Sequence, residues 1–255
     1  MGLAGHPTQP EVTDVPGPIP VPPTVVLVHG AFTDASSWTG VIRLLHAAGL
    51  AVRAPANPLR GLAHDAAYVG SVVRQLGTPV VLVGHGYGGA VITAADADNV
   101  VALAYVAAFG LDAGESLLDV TDRFPPMPGA DTAFTAALPG RSSAGTDGEL
   151  YLRGESFSEL YAADLSPRAG RVLSVRQRPL AQRALTAGSG PPAWASRPSW
   201  YAVAAADRML NPTAQRFMAQ RMAATARLLD GSHAVVLSRP EAVAAMIGEA
   251  AGAVI

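Results

Sequence analysis

A histidine and an aspartate in the C-terminal third of the chain, His233 and Asp207, are of the types that carry out proton transfer in enzymes. An aspartate that hydrogen-bonds one ring nitrogen of a histidine orients the ring, and the other nitrogen can then act as a general base. Each residue also has an ordinary alternative. His233 could be a surface loop residue, and Asp207 could begin a turn with Asn211-Pro212.

The composition excludes several other kinds of chemistry. The chain of 255 residues has no cysteine, which rules out disulfides, thiolate metal sites and a cysteine nucleophile. All 18 basic residues are arginine, so no lysine is present to form a Schiff base. The 6 histidines do not show the His-x-x-x-His spacing of a metal site. We therefore expect neither a metal nor another cofactor.

Charge and hydropathy narrow the range of partners and locations. The formal net charge is −2, so no strong charge draws the chain to nucleic acid or to an anionic membrane. No apolar run reaches the roughly 18 residues of a membrane span, and no signal peptide is recognisable at the N-terminus. We expect a cytoplasmic monomer or homodimer that acts on a small molecule.

The elements that must position these residues alternate along the chain. Short apolar runs typical of buried parallel strands alternate with helical patterns, which predicts an α/β fold with helices on both faces of a parallel sheet. The predicted strands are 25–28, 51–54, 80–83, 100–106, 200–205 and 226–229. The predicted helices are 36–48, 64–75, 87–97, 212–223 and 240–251.

Two segments fall outside this alternation. Residues 1–23 contain 7 of the 21 prolines, which predicts an extended tail. Residues 115–195 are rich in Pro, Gly, Ser and Arg, with a short helical stretch at 156–163, and are predicted to be a cap inserted into the core. The core then consists of 24–114 and 196–255.

The most informative stretch is Val80-Val81-Leu82-Val83-Gly84-His85-Gly86-Tyr87-Gly88-Gly89, in which a strand runs through a glycine-rich turn directly into a helix. A nucleotide-binding turn is the alternative, but the dinucleotide glycine spacing is absent and no Gly-Lys-Ser/Thr follows. The stretch resembles the nucleophile elbow of the α/β-hydrolase superfamily, Gly-x-Ser-x-Gly. Gly84 and Gly88 match the flanking glycines, and Gly86 occupies the nucleophile position.

The resemblance extends over almost all of 24–255, and the chain also resembles the esterase and hydroxynitrile-lyase branch. It implies six parallel strands, with Asp207 and His233 following the elbow in the family's order. Asp112 is a rival acid, because some relatives carry the acid after the preceding strand. The His29-Gly30-Ala31-Phe32 loop matches the family's His-Gly-x loop. The resemblance therefore implies an oxyanion hole made by the backbone N–H groups of Ala31 and Tyr87.

Other candidate residues follow from this arrangement. His29 is expected to hold its loop by hydrogen bonds and His85 to be a packed structural residue. Phe32 and Trp194 are predicted to contact substrate. Aromatic and methionine side chains in or near the cap could line a cavity or form the cap's own core: Phe124, Met127, Phe134, Trp194 and Trp200.

Glycine at position 86 leaves three hypotheses about function. In the first, a general-base enzyme acts on a small carbonyl compound through His233 and Asp207 without a covalent step. In the second, a Ser-His-Asp esterase or lactonase has had its serine replaced by Gly86. In the third, the pocket binds a small ligand without chemistry. We expect that a serine at position 86 would point toward His233 with no other residue needing to change.

Overall fold

The computed structural model describes residues 21–95, 97–127, 134–137 and 148–255. The strands of its main sheet are β1 Thr24–Val28, β2 Val52–Arg53, β3 Val80–His85, β4 Val100–Val106, β8 Ser199–Ala204 and β9 Thr225–Leu229. These six strands are parallel and lie in the order β2-β1-β3-β4-β8-β9. This arrangement confirms the predicted six-stranded fold class. Of the predicted proline-rich tail, residues 1–20 lie outside the described part of the chain.

Helices pack on both faces of the sheet because alternate side chains of the buried strands point in opposite directions. Val25 and Leu27 face α1 (Thr39–Ala47) and α9 (Pro240–Gly252), whereas Val26 and Val28 face the opposite layer. That opposite layer contains α2 (Leu62–Leu76), α3 (Tyr87–Ala94) and α7 (Pro212–Arg221). The sheet is thus covered on both sides, which accounts for its nearly continuous apolar strands.

The segment between β4 and β8 carries the remaining elements. It contains α4 (Leu117–Thr121), a three-stranded antiparallel sheet and α6 (Pro167–Val175). The small sheet is formed by β5 (Phe134–Ala137), β6 (Glu149–Leu152) and β7 (Leu180–Ala181). The stretch predicted as helical at 156–163 is one short helix, α5 (Gly154–Ser156), followed by a single wide turn, Phe157–Tyr161.

This segment packs onto the layer that contains α2, α3 and α7. Leu150, Phe157 and Tyr161 belong to the same buried cluster as Val26 and Leu82 of the main sheet. A last short helix, α8 (Val235–Ser238), follows β9 and leads into α9. The loop between β9 and α8 carries His233, and Tyr161 accepts a hydrogen bond from Ala234 N at 2.9 Å. The inserted segment is therefore in contact with the loop on which the candidate base lies.

Candidate active site

The structure brings His233 and Asp207 together. His233 follows β9 and Asp207 follows β8, so both lie beyond the carboxyl ends of adjacent parallel strands, where ligands bind in open α/β sheets. His233 Nδ1 is 2.8 Å from Asp207 Oδ2. A carboxylate accepts this bond, so Nδ1 carries a proton, and in the neutral imidazole the lone pair is then on Nε2. The Asp112 carboxylate instead accepts a bond from Ala113 N, so the rival acid is not the partner of His233.

The carboxylate of Asp207 is buried and held by four donors, of which His233 is one. Its Oδ1 accepts hydrogen bonds from Met209 N at 2.8 Å and Leu210 N at 3.0 Å. Its Oδ2 also accepts a bond from Gln215 Nε2 at 2.8 Å. These bonds satisfy the charge of a carboxylate that is only 1% exposed and fix its orientation toward His233.

Gln215 was not identified from the sequence. It lies on α7 and is fully buried, and its Oε1 accepts a hydrogen bond from Ala204 N at 3.0 Å. Its Nε2 also donates to Leu210 O at 2.8 Å. A glutamine in a helix pattern carries no local signal for this role, because the groups that it joins come from β8 and from the loop after it.

The strand–turn–helix geometry at Gly86 explains the glycines around it. A Cβ at Gly84 would lie 2.6 Å from the Gly88 backbone, and a Cβ at Gly88 would lie 2.4 Å from Val28 O. The strand and the helix pass so close that neither position accepts a side chain. Gly86 itself has φ of +54°, in the region that glycine adopts with little strain.

The ring of His233 occupies the space above Gly86. A Cβ built at Gly86 would lie 2.9 Å from His233 Nε2 and 3.4 Å from Cε1. Contacts under 3.0 Å to a Cβ essentially do not occur, so any side chain at position 86 requires the His233 ring to shift. A serine here would place its Cβ against the outer end of the His233 side chain, so the ring would have to give way. That the serine hydroxyl would point toward His233 with no further substitution stays a prediction.

The loop that carries Ala31 is held by His29, as expected. His29 Nδ1 donates to Gly30 O at 2.9 Å, and Nε2 accepts from Asn57 N at 3.0 Å. Burial lowers the pKa of His29 to about 4, so the ring is neutral and can accept this bond. Asn57 Nδ2 also donates to His29 O at 3.0 Å, which fixes the strand end before Ala31.

Tyr87 and Ala31 line the same cavity as His233. Tyr87 is the first residue of α3, where a backbone N–H has no acceptor within the helix. Its side chain is anchored because Tyr87 Oη donates to Asp65 Oδ2 at 2.7 Å. Asp65, which is fully buried, also accepts bonds from the amides of Arg60 and Gly61. The N-terminus of α3 is thus fixed at the edge of the cavity.

Two aromatic neighbours hold the His233 ring. The His85 ring lies 4.7 Å from it, centroid to centroid, and Tyr161 meets it edge-on at 4.9 Å. His85 Nε2 donates to His233 O at 2.8 Å. Burial lowers the pKa of His85 to about 3, so the ring remains neutral beside His233. His85 is thus a packed structural residue, in agreement with the prediction, and it supports the loop of His233.

A cavity of about 530 Å³ opens beside His233, and its walls are mostly apolar. The core contributes Phe32, Tyr87 and Phe109, and the inserted segment contributes Leu117, Phe124 and Met127. Phe32 has φ of +65°, which is uncommon for a bulky residue and turns its loop toward this space. The volume is typical of sites for small molecules.

Two of the aromatic candidates lie elsewhere. Trp194 does not line this cavity, because its Nε1 donates to Leu111 O at 2.8 Å and its ring packs against Arg221. Trp200 is buried on the α1 and α9 side of the sheet. The side chain of Phe134 lies outside the described residues.

The part of the chain that the structure describes contains no group of three potential metal ligands from His, Cys, Asp and Glu. Within the same part, no helix combines the length and apolar character that a membrane span requires.

Sequence and structure comparisons agree with this architecture. The alpha/beta hydrolase family model matches residues 25–246, and the chain belongs to this family. A pyrethroid hydrolase from Sphingobium faniae JZ-2 is 23% identical, with a TM-score of 0.72 and coverage of 91% of this chain and 98% of that one. No curated protein sequence matches the chain significantly.

Two esterases are also similar in structure. A methylesterase from Arabidopsis is 19% identical, with a TM-score of 0.72 and coverage of 90% of this chain and 99% of that one. Polyneuridine aldehyde esterase is 18% identical, with a TM-score of 0.75 and the same coverage. At these identities the likeness concerns the fold, so the reaction of this chain has to be argued from its own residues.

Proposed function

We propose that the protein is a general-base enzyme of the α/β-hydrolase fold that acts on a small carbonyl compound without a covalent enzyme intermediate. The observation that carries this proposal is that an absent nucleophile and a histidine nitrogen meet at position 86. Position 86 has no nucleophile, and the free nitrogen of His233 lies over it. The Asp207 bond at 2.8 Å supports the same role, because it orients this nitrogen.

In this mechanism, His233 Nε2 removes a proton from the substrate or from a water molecule that attacks it. The carbonyl oxygen gains negative charge, which the backbone N–H groups of Ala31 and Tyr87 stabilise. Asp207 stabilises the imidazolium that forms. The proton then passes from Nε2 to the leaving group or to the product, so no atom of residue 86 takes part in bond formation.

A Ser-His-Asp esterase or lactonase that carries glycine in place of its serine is the second candidate. The names of its structural neighbours, a pyrethroid hydrolase and two esterases, favour it. Position 86 itself favours the first candidate, because it supplies no nucleophile, and a serine Cβ there would lie 2.9 Å from His233 Nε2 unless the ring shifts.

The test is turnover of a panel of neutral carbonyl compounds: short esters, lactones and β-hydroxy ketones. We expect the chain with Gly86 to turn over at least one of them, and His233→Ala to lower that rate about 10²–10⁴-fold. His46→Ala is the matched control, because His46 is exposed on α1. Binding that is equal in the unsubstituted chain and in His233→Ala, without turnover of any compound, would instead indicate a ligand-binding protein.

A further inference from the structure

Some of the polar side chains that line the cavity already form hydrogen bonds within the protein. The Thr121 hydroxyl donates to backbone carbonyls of its own helix, α4. Asn211 Oδ1 caps α7, and its Nδ2 donates to Pro125 O at 3.1 Å. The Tyr87 hydroxyl donates to Asp65 Oδ2 at 2.7 Å. The remaining polar side chains of the described lining are those of His233 and Asp122.

Asp122 lies at the C-terminal end of α4 and is exposed, so it marks the open side of the cavity. Its carboxylate forms no hydrogen bond or ion pair with any residue within the described ranges. A negative charge without a partner among the described residues is thus available to a ligand that extends to this side.

Among the described residues, Arg123, Arg208 and Arg221 are already paired. Arg123 and Arg221 both form ion pairs with the buried carboxylate of Glu115, at 2.9 and 2.7 Å. Arg208 pairs with Glu159 at 3.2 Å. No arginine belongs to the described lining of the cavity. A ligand carboxylate would therefore meet apolar walls and a like charge, with no described cation to compensate it.

We propose that the cavity selects carbonyl compounds with a bulky apolar body that is neutral or carries a cationic end, and that it rejects carboxylates. Asp122 sets this charge preference at the open side. The inference rests on the proposed function in one respect: the carbonyl group of the ligand lies toward His233. A carboxylate at the open side is repelled by the like charge of Asp122, and it loses hydration without a described partner wherever it meets the apolar walls. An ammonium group in the same place stays partly hydrated and gains a modest attraction to Asp122.

The experiment compares three ligands that share one chain: methyl octanoate, its ω-trimethylammonium derivative and its ω-carboxylate derivative. Binding is measured by isothermal titration calorimetry on His233→Ala, so that turnover does not interfere. We expect the carboxylate to bind at least about tenfold more weakly than the neutral ester. The ammonium derivative should bind about two- to fivefold more tightly than the neutral ester.

The same titrations with Asp122→Asn added test the assigned residue. The advantage of the ammonium derivative should disappear, and the penalty on the carboxylate should fall by a similar factor. Asp98→Asn is the matched control, because Asp98 is exposed and lies outside the cavity lining. It should leave all three affinities unchanged.

Three results would overturn the inference: no binding of any of the three ligands, a carboxylate that binds as well as the neutral ester, or affinity ratios that Asp122→Asn does not change. Failure of the proposed function is seen separately. If the three affinities have the expected order but no carbonyl compound shows turnover that depends on His233, the charge preference stands and the general-base proposal fails.

Discussion

His233 Nε2 lies 2.9 Å from the point that a Cβ of residue 86 would occupy. The ring is positioned by the bond between its Nδ1 and Asp207 and by aromatic contacts with His85 and Tyr161. Glycine at position 86 and the position of this imidazole are thus compatible with each other, and a side chain at 86 is compatible only with a displaced ring.

Substitution of Gly86 should therefore have two separable effects. Gly86→Ser and Gly86→Ala should both destabilise the fold by about 1–3 kcal/mol, because each places a Cβ at positive φ against the His233 ring. Urea denaturation measures this loss.

Both substitutions should also lower any turnover that depends on His233. An acyl-enzyme burst with an activated ester should be seen only with Gly86→Ser, because only serine supplies a hydroxyl. Equal stability of Gly86→Ala and the unsubstituted chain would contradict the steric argument.

Asp207→Asn should lower turnover by at least about 10²-fold while the chain stays folded. The amides of Met209 and Leu210 require an oxygen in place of Oδ1, so the NH₂ group of the asparagine would face His233. His233 would then carry its proton on Nε2 and lose its free lone pair there. Steady-state rates test this, with circular dichroism as the check on folding. Asp98→Asn, which is far from these bonds in the sequence and exposed, should keep full activity.

Gln215→Met tests whether Gln215 positions Asp207 and His233 for the reaction or only packs in the core. The substitution keeps the approximate volume but removes the donor to Asp207 Oδ2 and leaves Ala204 N without its acceptor, which should cost about 1–3 kcal/mol. With one donor fewer, Asp207 would hold the His233 ring less precisely, so kcat should fall by up to about 10²-fold while KM changes little. A variant that loses stability without this fall in kcat would show that Gln215 only supports the fold.

Acid should weaken the fold through two buried histidines. The pKa values of His29 and His85 are lowered from the ordinary 6.5 to about 4 and about 3, in both cases by burial. Below pH 6.5 the unfolded chain binds protons that the folded chain excludes, so the free energy of unfolding falls as the pH falls. Each histidine should contribute a slope approaching about 1.4 kcal/mol per pH unit between pH 6.5 and 5.

Urea denaturation at several pH values measures this dependence. His85→Gln should be less stable than the unsubstituted chain at neutral pH, yet its stability should fall less steeply on acidification. His46→Gln removes an exposed histidine and should leave the slope unchanged. A slope in His85→Gln equal to that of the unsubstituted chain would show that His85 does not exclude protons in the folded state.

Much of the fold could be predicted from local sequence. Apolar runs such as Val80–Val83 are recognisable as strands buried on both faces, and their alternation with helical patterns leads to a parallel sheet. The need for small residues at Gly84 and Gly88 also followed from the strand–helix turn. Element ends were less well predicted, because the last turn of a helix and the short strand β2 depend on packing rather than on propensity.

The sequence by itself determined that His233 and Asp207 were candidates and that position 86 had no nucleophile, because residue types and their order along the chain carry that information. Only the tertiary structure decided that Asp207 rather than Asp112 bonds His233, that Gln215 supports the carboxylate, and that Trp194 lies away from the cavity. It also placed the His233 ring over Gly86. These relationships join residues far apart in the chain, and their distances are set by how the strands, helices and inserted segment pack.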